Sequence, residues 1–285
     1  MKRITILCAL SLLFVVQAWA GQSVITEVAG SACMGDDKSR KETEQQAVKE
    51  ATRRAAEYAS TYVTSETHVK DSALESDLIS AYANAHVKVI QELEKAWYKD
   101  DSSGECFRTR LKVEVIPDRK AMTKTSEKAL LDDPAAPLNV HVWTDRKEYH
   151  LGDRIRVFLK ANKPFYGKVL YKDAGGKVIQ LLPNPYRNEN YFNGGVVYEL
   201  PGGGDRFDLE VTPPFGSEQI TVYAATSPLG DLDASPTGGV YQIRTKPQDV
   251  STGTRGIRLV TKGTGSALKM PTAEFAETTF ELTTQ

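Results

Sequence analysis

Histidine and cysteine are scarce in this chain, 4 and 3 among 285 residues, and their scarcity limits the chemistry. His68, His86, His141 and His150 offer no pair at helical or strand metal spacing. Zinc sites usually take three protein ligands, so no metal site is expected. Asp231 and Asp233 lack the further spaced oxygens that calcium needs. Serine hydrolysis has no Gly-x-Ser-x-Gly elbow to work from, and phosphate transfer has no Gly-x-x-x-x-Gly-Lys-Ser/Thr loop. The Gly202-Gly203-Gly204 cluster precedes a strand pattern, not the helix N-terminus that would hold phosphate. A dominant charge is also missing: Lys+Arg 36 against Asp+Glu 37 leaves a formal charge of -1. No basic run with interleaved aromatics marks a nucleic-acid partner. The expectation is a chain that is not an enzyme, carries no cofactor and binds no nucleic acid.

Long apolar runs are scarce too, and the one present opens the chain. Met1-Lys2-Arg3 precedes an apolar run from Ile4 to Val16, and Ala18-Trp19-Ala20 precedes Gly21. That is the charged, apolar and small-residue order of a secretory signal, with cleavage expected after Ala20. The run is shorter than the ~20 residues a membrane-spanning helix requires, so no membrane insertion is expected after cleavage. Cys8 lies inside the run, where a lipidated first residue would not be. A periplasmic or secreted protein is expected. Cleavage would remove Lys2 and Arg3 and no acid.

Two cysteines, Cys33 and Cys106, then remain in a chain bound for an oxidising compartment. A disulfide is the first reading and a reactive thiol the alternative. Residues 24–34 alternate, with Val24, Thr26, Val28, Gly30 and Ala32 on one face of a strand. Ser39 and Glu42 form a capping-box pattern before a helix that carries Ala47, Ala51, Ala55, Tyr58, Ala59 and Tyr62, and the small residues of that stripe let it lie close on a sheet. Ser72 and Glu75 open a shorter helix with Leu74, Leu78, Ala81, Tyr82 and Ala85 on one side. A long strand through Val87, Val89, Leu93 and Trp97 follows, and then one with Phe107, Thr109, Leu111, Val113 and Val115 inward. Its other parity, Cys106, Arg108, Arg110, Lys112 and Glu114, reads as a solvated face. If the first and last strands are antiparallel neighbours with Cys33 opposite Cys106, Glu27 falls opposite Lys112 and Ser31 opposite Arg108, a pairing that favours the bridge.

Gly30-Ser31-Ala32, the alanines from Ala47 to Ala56 and Thr61-Tyr62-Val63-Thr64-Ser65-Glu66 resemble a small exported α/β module. That module is found at the start of flagellar assembly protein T and in the LPP-twenty lipoprotein family. The resemblance covers about a third of the chain and implies an envelope protein that binds other proteins.

The fold class expected is α+β: residues 21–118 as a three-stranded sheet with two helices, then an all-β immunoglobulin-like sandwich over 138–285. Pro134 and Pro137 mark residues 119–137 as a linker, either a hinge or a docked connection. Beyond Leu138 no helical period is evident. Strands are predicted at 139–144, 154–161, 167–172, 177–182, 196–200, 206–211 and 219–225. Residues 231–239 read as turn-rich, and two β-prone runs, 257–261 and 274–283, as a hairpin within 254–285. The phrases Tyr149-His150-Leu151-Gly152-Asp153, Leu181-Leu182-Pro183-Asn184-Pro185-Tyr186, Leu200-Pro201-Gly202-Gly203-Gly204-Asp205 and Pro213-Pro214-Phe215-Gly216-Ser217-Glu218 are similar to the domain-of-unknown-function 4384 family over 149–229. That resemblance implies an accessory immunoglobulin-like domain and no reaction.

One loop stands out for binding. Residues 183–193 carry Asn184, Tyr186, Arg187, Asn190, Tyr191 and Phe192, with Phe165 and Tyr166 ahead of a neighbouring strand. Rings give contact area at small entropic cost, and amides adapt their hydrogen bonds, so such loops suit recognition. The other reading is that the rings tuck beneath the loop as a plug. The partner expected is another envelope protein, and the alternative a small ligand or glycan.

Overall fold

The structure is a computed structural model that describes residues 21–66, 69, 72–122, 127–256 and 272–285. Its first element, β1 (Gly21–Cys33), is followed by α1 (Arg40–Glu66), α2 (Ser72–Ala83), β2 (His86–Asp100) and β3 (Gly104–Ile116). The capping box forms as predicted: the Glu42 amide donates to Ser39 Oγ at 3.3 Å and the Ser39 amide to Glu42 Oε2 at 2.8 Å, so two otherwise orphaned donors are satisfied. Ala47, Ala51, Ala55 and Ala59 are all fully buried. They let α1 approach β1 so closely that a Cβ at Gly30 would lie 2.2 Å from the Ala47 carbonyl oxygen and 2.6 Å from the Ala51 nitrogen. Gly30 is therefore a packing requirement. The helix covers a core of Val24, Val28, Leu111, Val113 and Val115, to which α2 adds Leu74, Leu78 and Tyr82.

β1 and β3 are antiparallel in the expected register, with Cys33 opposite Cys106, Ser31 opposite Arg108 and Glu27 opposite Lys112. The Cys33–Cys106 disulfide is formed. β2 lies outside β3, with irregularities between Val89 and Gln91 and between Glu92 and Glu94. Such bulges blunt a long edge strand against pairing with other chains.

Two short helices, α3 (Arg119–Met122) and α4 (Glu127–Asp132), lead into the β-rich region. The connection after them is docked. Asn162 Nδ2 bonds the carbonyls of Asp133, Ala136 and Pro137 at 2.9, 2.9 and 3.1 Å, and its Oδ1 accepts the Asn139 amide at 2.8 Å.

Then come β4 (Val140–Thr144), β5 (Glu148–Tyr149), β6 (Val157–Ala161), β7 (Phe165–Lys172), β8 (Val178–Leu182), β9 (Tyr191–Phe192), β10 (Val197–Leu200) and β11 (Ser217–Ala225). They are followed by β12 (Ala234–Thr237), β13 (Val240–Ile243), α5 (Pro247–Thr254) and β14 (Thr272–Thr284). A three-stranded sheet, β10-β6-β4, packs over part of the large sheet. Between them lie Val142, Val157, Leu159, Phe165, Val169, Leu182, Phe192, Ile220, Val222 and Leu282. The fold is thus α+β with a sandwich-like β-rich C-terminal region.

The large sheet does not stop at the linker. Its strands run β12-β13-β8-β7-β11-β14-β1-β3-β2. β14 is the join, pairing with β1 from Gly21↔Glu277 to Thr26↔Thr272 and with β11 from Ser217↔Thr283 to Ala225↔Phe275. The predicted hairpin takes a different form. Its first run, 257–261, lies outside the described residues, and its second pairs with β1 and β11. On β14, Glu274 is a node: its carboxylate accepts the Leu138 amide at 2.5 Å, the Lys163 ammonium at 3.0 Å and the Tyr62 hydroxyl at 3.3 Å. One side chain holds α1, the segment leading into β4 and the β6–β7 connection together.

Three further expectations change. Residues 206–211 form no strand, only a bridge between Arg154 and Glu210, around which the Leu209 carbonyl accepts the Ile155 amide, the Val211 carbonyl accepts the Gly152 amide and the Val211 amide donates to Asp153. Pro213 and Pro214, which lack N–H groups, then prevent a ladder from continuing. Residues 231–239 include β12 and its turn to β13, where Gly238 and Gly239 have φ of 55° and 85°, the positive values a two-residue hairpin turn demands. The face expected to be solvated is only partly so. Arg108 and Arg110 are exposed, whereas Lys112 and Glu114 are buried. The unpredicted helix α5 brings Arg255 onto that face, 2.6 Å from Glu114 and 3.0 Å from Glu277, with its guanidinium over the Phe275 ring.

Candidate functional site

The loop between β8 and β9 is built from its own side chains. Asn184 is buried; its Nδ2 donates to the Leu181 carbonyl at 2.7 Å, and its Oδ1 accepts the amides of Tyr186 and Arg187, both at 2.8 Å. An asparagine that mimics a backbone turn in this way sets the direction of the residues after it. Arg187 points back to Asp205, with Nη1 to Oδ2 at 3.1 Å, and the same oxygen accepts the Gly202 amide at 2.7 Å. The loop is thereby tied to the turn that follows β10. Phe165 and Phe192 are fully buried and stacked with centroids 5.0 Å apart. Gly167 makes room for them, since a Cβ there would sit 2.9 Å from the Phe192 ring. Asn190 contributes its carbonyl to the Gly167 amide at 2.7 Å.

The remaining rings face outward. Tyr186 is 56% exposed and Tyr191 54%. Tyr186 stacks on Phe207 at 6.3 Å and lies over Gly239, where a Cβ would meet its ring at 2.6 Å. Tyr191 packs against half-buried Tyr166 at 5.0 Å. The eight residues picked from the sequence therefore divide. Phe165, Phe192, Asn184 and Arg187 support the loop, Asn190 anchors it by its backbone, and Tyr186, Tyr191 and Tyr166 supply the surface. Alternation and composition do not separate these roles, because a ring inside the sandwich and a ring outside it look alike in a short two-residue strand.

Chemically, the loop offers stacking area and hydrogen-bonding groups. Among the described residues no group of three His, Cys, Asp or Glu side chains is placed to hold a metal ion. No described helix is long and apolar enough to cross a membrane.

Two features escaped the sequence reading. On the outer face of the three-stranded sheet Trp143 stacks on Phe158 at 5.6 Å, with His141 5.1 Å from Trp143; the aromatic parity opposite Val140 and Val142 was its signal. A cleft at the end of the sandwich, walled by residues from β7, β8, β11, β13 and the segment 208–214, had none, because its residues are scattered along the chain.

The class of protein is thus a mixed α+β chain whose sandwich-like region presents a braced aromatic loop. Residues 148–228 match the family described as "Domain of unknown function (DUF4384)", a stretch that runs from β5 through β11 and includes the whole loop. No curated protein matches the chain.

Proposed function

We propose that this chain is an exported, non-enzymatic accessory or scaffold protein of the cell envelope, which recognises another envelope protein through the Tyr186 and Tyr191 surface. The observation that carries the reading is the contrast within one loop: its supports are buried or ion-paired, while its two tyrosines stay more than half exposed. Rigid aromatic groups on a braced loop lose little entropy on binding. Export is supported by the signal-like order of residues 1–20 and by the Cys33–Cys106 disulfide. The resemblance of residues 21–118 to exported envelope modules points the same way.

The test changes only the outward rings. Tyr186→Ala with Tyr191→Ala is expected to abolish co-purification of the native partner from crosslinked envelopes and to leave the melting temperature within about 2 °C, as for surface substitutions. Unchanged co-purification removes the loop from the interface. A glycan array separates the alternative: saturable glycan binding that is lost in the same variant would replace protein recognition by glycan recognition.

A further inference from the structure

The cleft at the end of the sandwich has a volume of about 290 Å³. Its lining is mixed, and Ile155, Ile179, Leu181, Leu209, Ile220 and Val240 supply the apolar part. Its polar lining is mostly acidic: Asp173, whose Oδ1 accepts the Lys177 amide at 2.8 Å and whose Oδ2 is left over among the described residues, comes from the β7–β8 turn, and Asp208 and Glu210 from the segment opposite. Arg154 pairs with Asp208 at 3.5 Å. Among the described residues no cation lies within ion-pair distance of Asp173 or Glu210, although Lys177 also lines the cleft.

Behind this wall stands a second carboxylate feature. Glu218 is 1% exposed and takes its hydrogen bonds from two hydroxyls, those of Tyr171 and Thr284, with no basic partner among the described residues. Tyr171 lines the cleft and carries that bond. Burial first, and Glu218 second, hold its phenol well above the ordinary tyrosine value, so it remains a donor to Glu218. The cleft thus combines an apolar patch, the Tyr171 ring and an excess of carboxylates. That combination matches a side chain with an apolar stem and a cationic end.

We propose that this cleft binds a basic side chain, best an arginine, presented by a polypeptide partner. The stem would lie against Ile179, Leu181 and Leu209, and the guanidinium would reach Asp173 and Glu210 beside the Tyr171 ring. A planar guanidinium suits both carboxylate pairing and ring stacking better than a compact ammonium does. The occupant is a residue within a chain, not a free amino acid, because the carboxylate of free arginine would face the acidic rim. The proposal stands on the cleft alone and does not require the tyrosine surface to bind anything.

The probe is N-acetyl-arginine methylamide, titrated into the full chain while methyl resonances of Ile155, Ile179, Leu181, Leu209, Ile220 and Val240 are followed. The expected result is saturable shifts confined to these methyls, with binding at least tenfold weaker for the neutral citrulline analogue and for free arginine. Asp173→Asn with Glu210→Gln should weaken binding tenfold or more, whereas Asp36→Asn with Asp37→Asn, the same change in net charge on an exposed turn, should not. Absent shifts, equal binding of the citrulline analogue or of free arginine, or an equal loss in the control variant would each overturn the proposal. Folding of both variants is checked by the unchanged methyl spectrum without probe.

Discussion

Replacing Glu274 by alanine should weaken the whole molecule rather than one end of it. The side chain is 5% exposed and holds three donors from three parts of the chain: Lys163, the Leu138 amide and the Tyr62 hydroxyl. Without the carboxylate, the Lys163 ammonium, whose side chain is only 16% exposed, loses its counter-charge. Breaking a buried pair in this way costs about 3–5 kcal/mol, and the partial exposure of Lys163 puts this case at the low end. The Leu138 amide is left without its acceptor, at about 1–3 kcal/mol. The two costs arise at one residue and do not add fully, so the expected loss is about 4 kcal/mol. Urea unfolding followed by far- and near-ultraviolet circular dichroism is the assay. Wild type and variant should each unfold in one transition, with the midpoint moved and the slope retained. Adding Lys163→Met should recover part of the loss, since the stranded charge is then gone. A loss below about 1 kcal/mol would refute the reasoning, because it would fall short of even one unsatisfied buried amide. Two separate transitions in the wild-type protein would refute it differently, by showing that the two regions do not share one cooperative unit.

Two further outcomes are expected. Cys33→Ala with Cys106→Ala removes a bridge of sequence separation 73, which the chain-entropy relation puts at about 4 kcal/mol, and intact mass of the wild-type protein should rise by two hydrogens on reduction. Tyr82 and Tyr223 are buried, and burial holds both phenols above their ordinary value, with Glu274 adding to the first and Glu277 to the second. A group whose folded value is raised keeps its stabilising contribution below the unfolded value, near pH 10, and loses it as the pH climbs towards the folded value. Stability should therefore fall above about pH 10, by up to about 1.4 kcal/mol per unit for each such tyrosine, and tyrosinate absorbance should show a fraction that titrates only with unfolding. A titration complete well before unfolding would count against this.

The parts of the fold that could be read from the sequence are those where a constraint is both local and two-sided. The β1–β3 register follows because two cysteines, the opposite charges of Glu27 and Lys112 and the neutral Ser31 facing Arg108 agree on the same alignment. The docking of α1 follows from Gly30 facing Ala47 and Ala51, where small residues on both elements agree. What could not be read depends on partners far away in sequence. Glu114 lies in a strand of alternating charge, and its burial comes from Arg255, 141 residues later. α5 has no apolar stripe to announce it; Val250 is buried in a core formed with Ile25, Leu170 and Phe275. In the candidate loop, the aromatic content was visible, but which rings face out depended on Gly167 making room for Phe192 and on Asn184 turning the chain.

β14 also carries a consequence for the order in which the molecule is completed. The open edges of β1 and β11 are both filled by this strand, which follows every other element, and its closest approach to the beginning is the pairing of Gly21 with Glu277. Local helices and hairpins form readily as a chain emerges, whereas a contact spanning nearly the whole sequence must wait. Until β14 arrives, two unpaired strand edges remain exposed, and such edges invite pairing with other chains. Pairing of β14 with β1 and β11 is therefore expected to come late, and it covers both edges in one step.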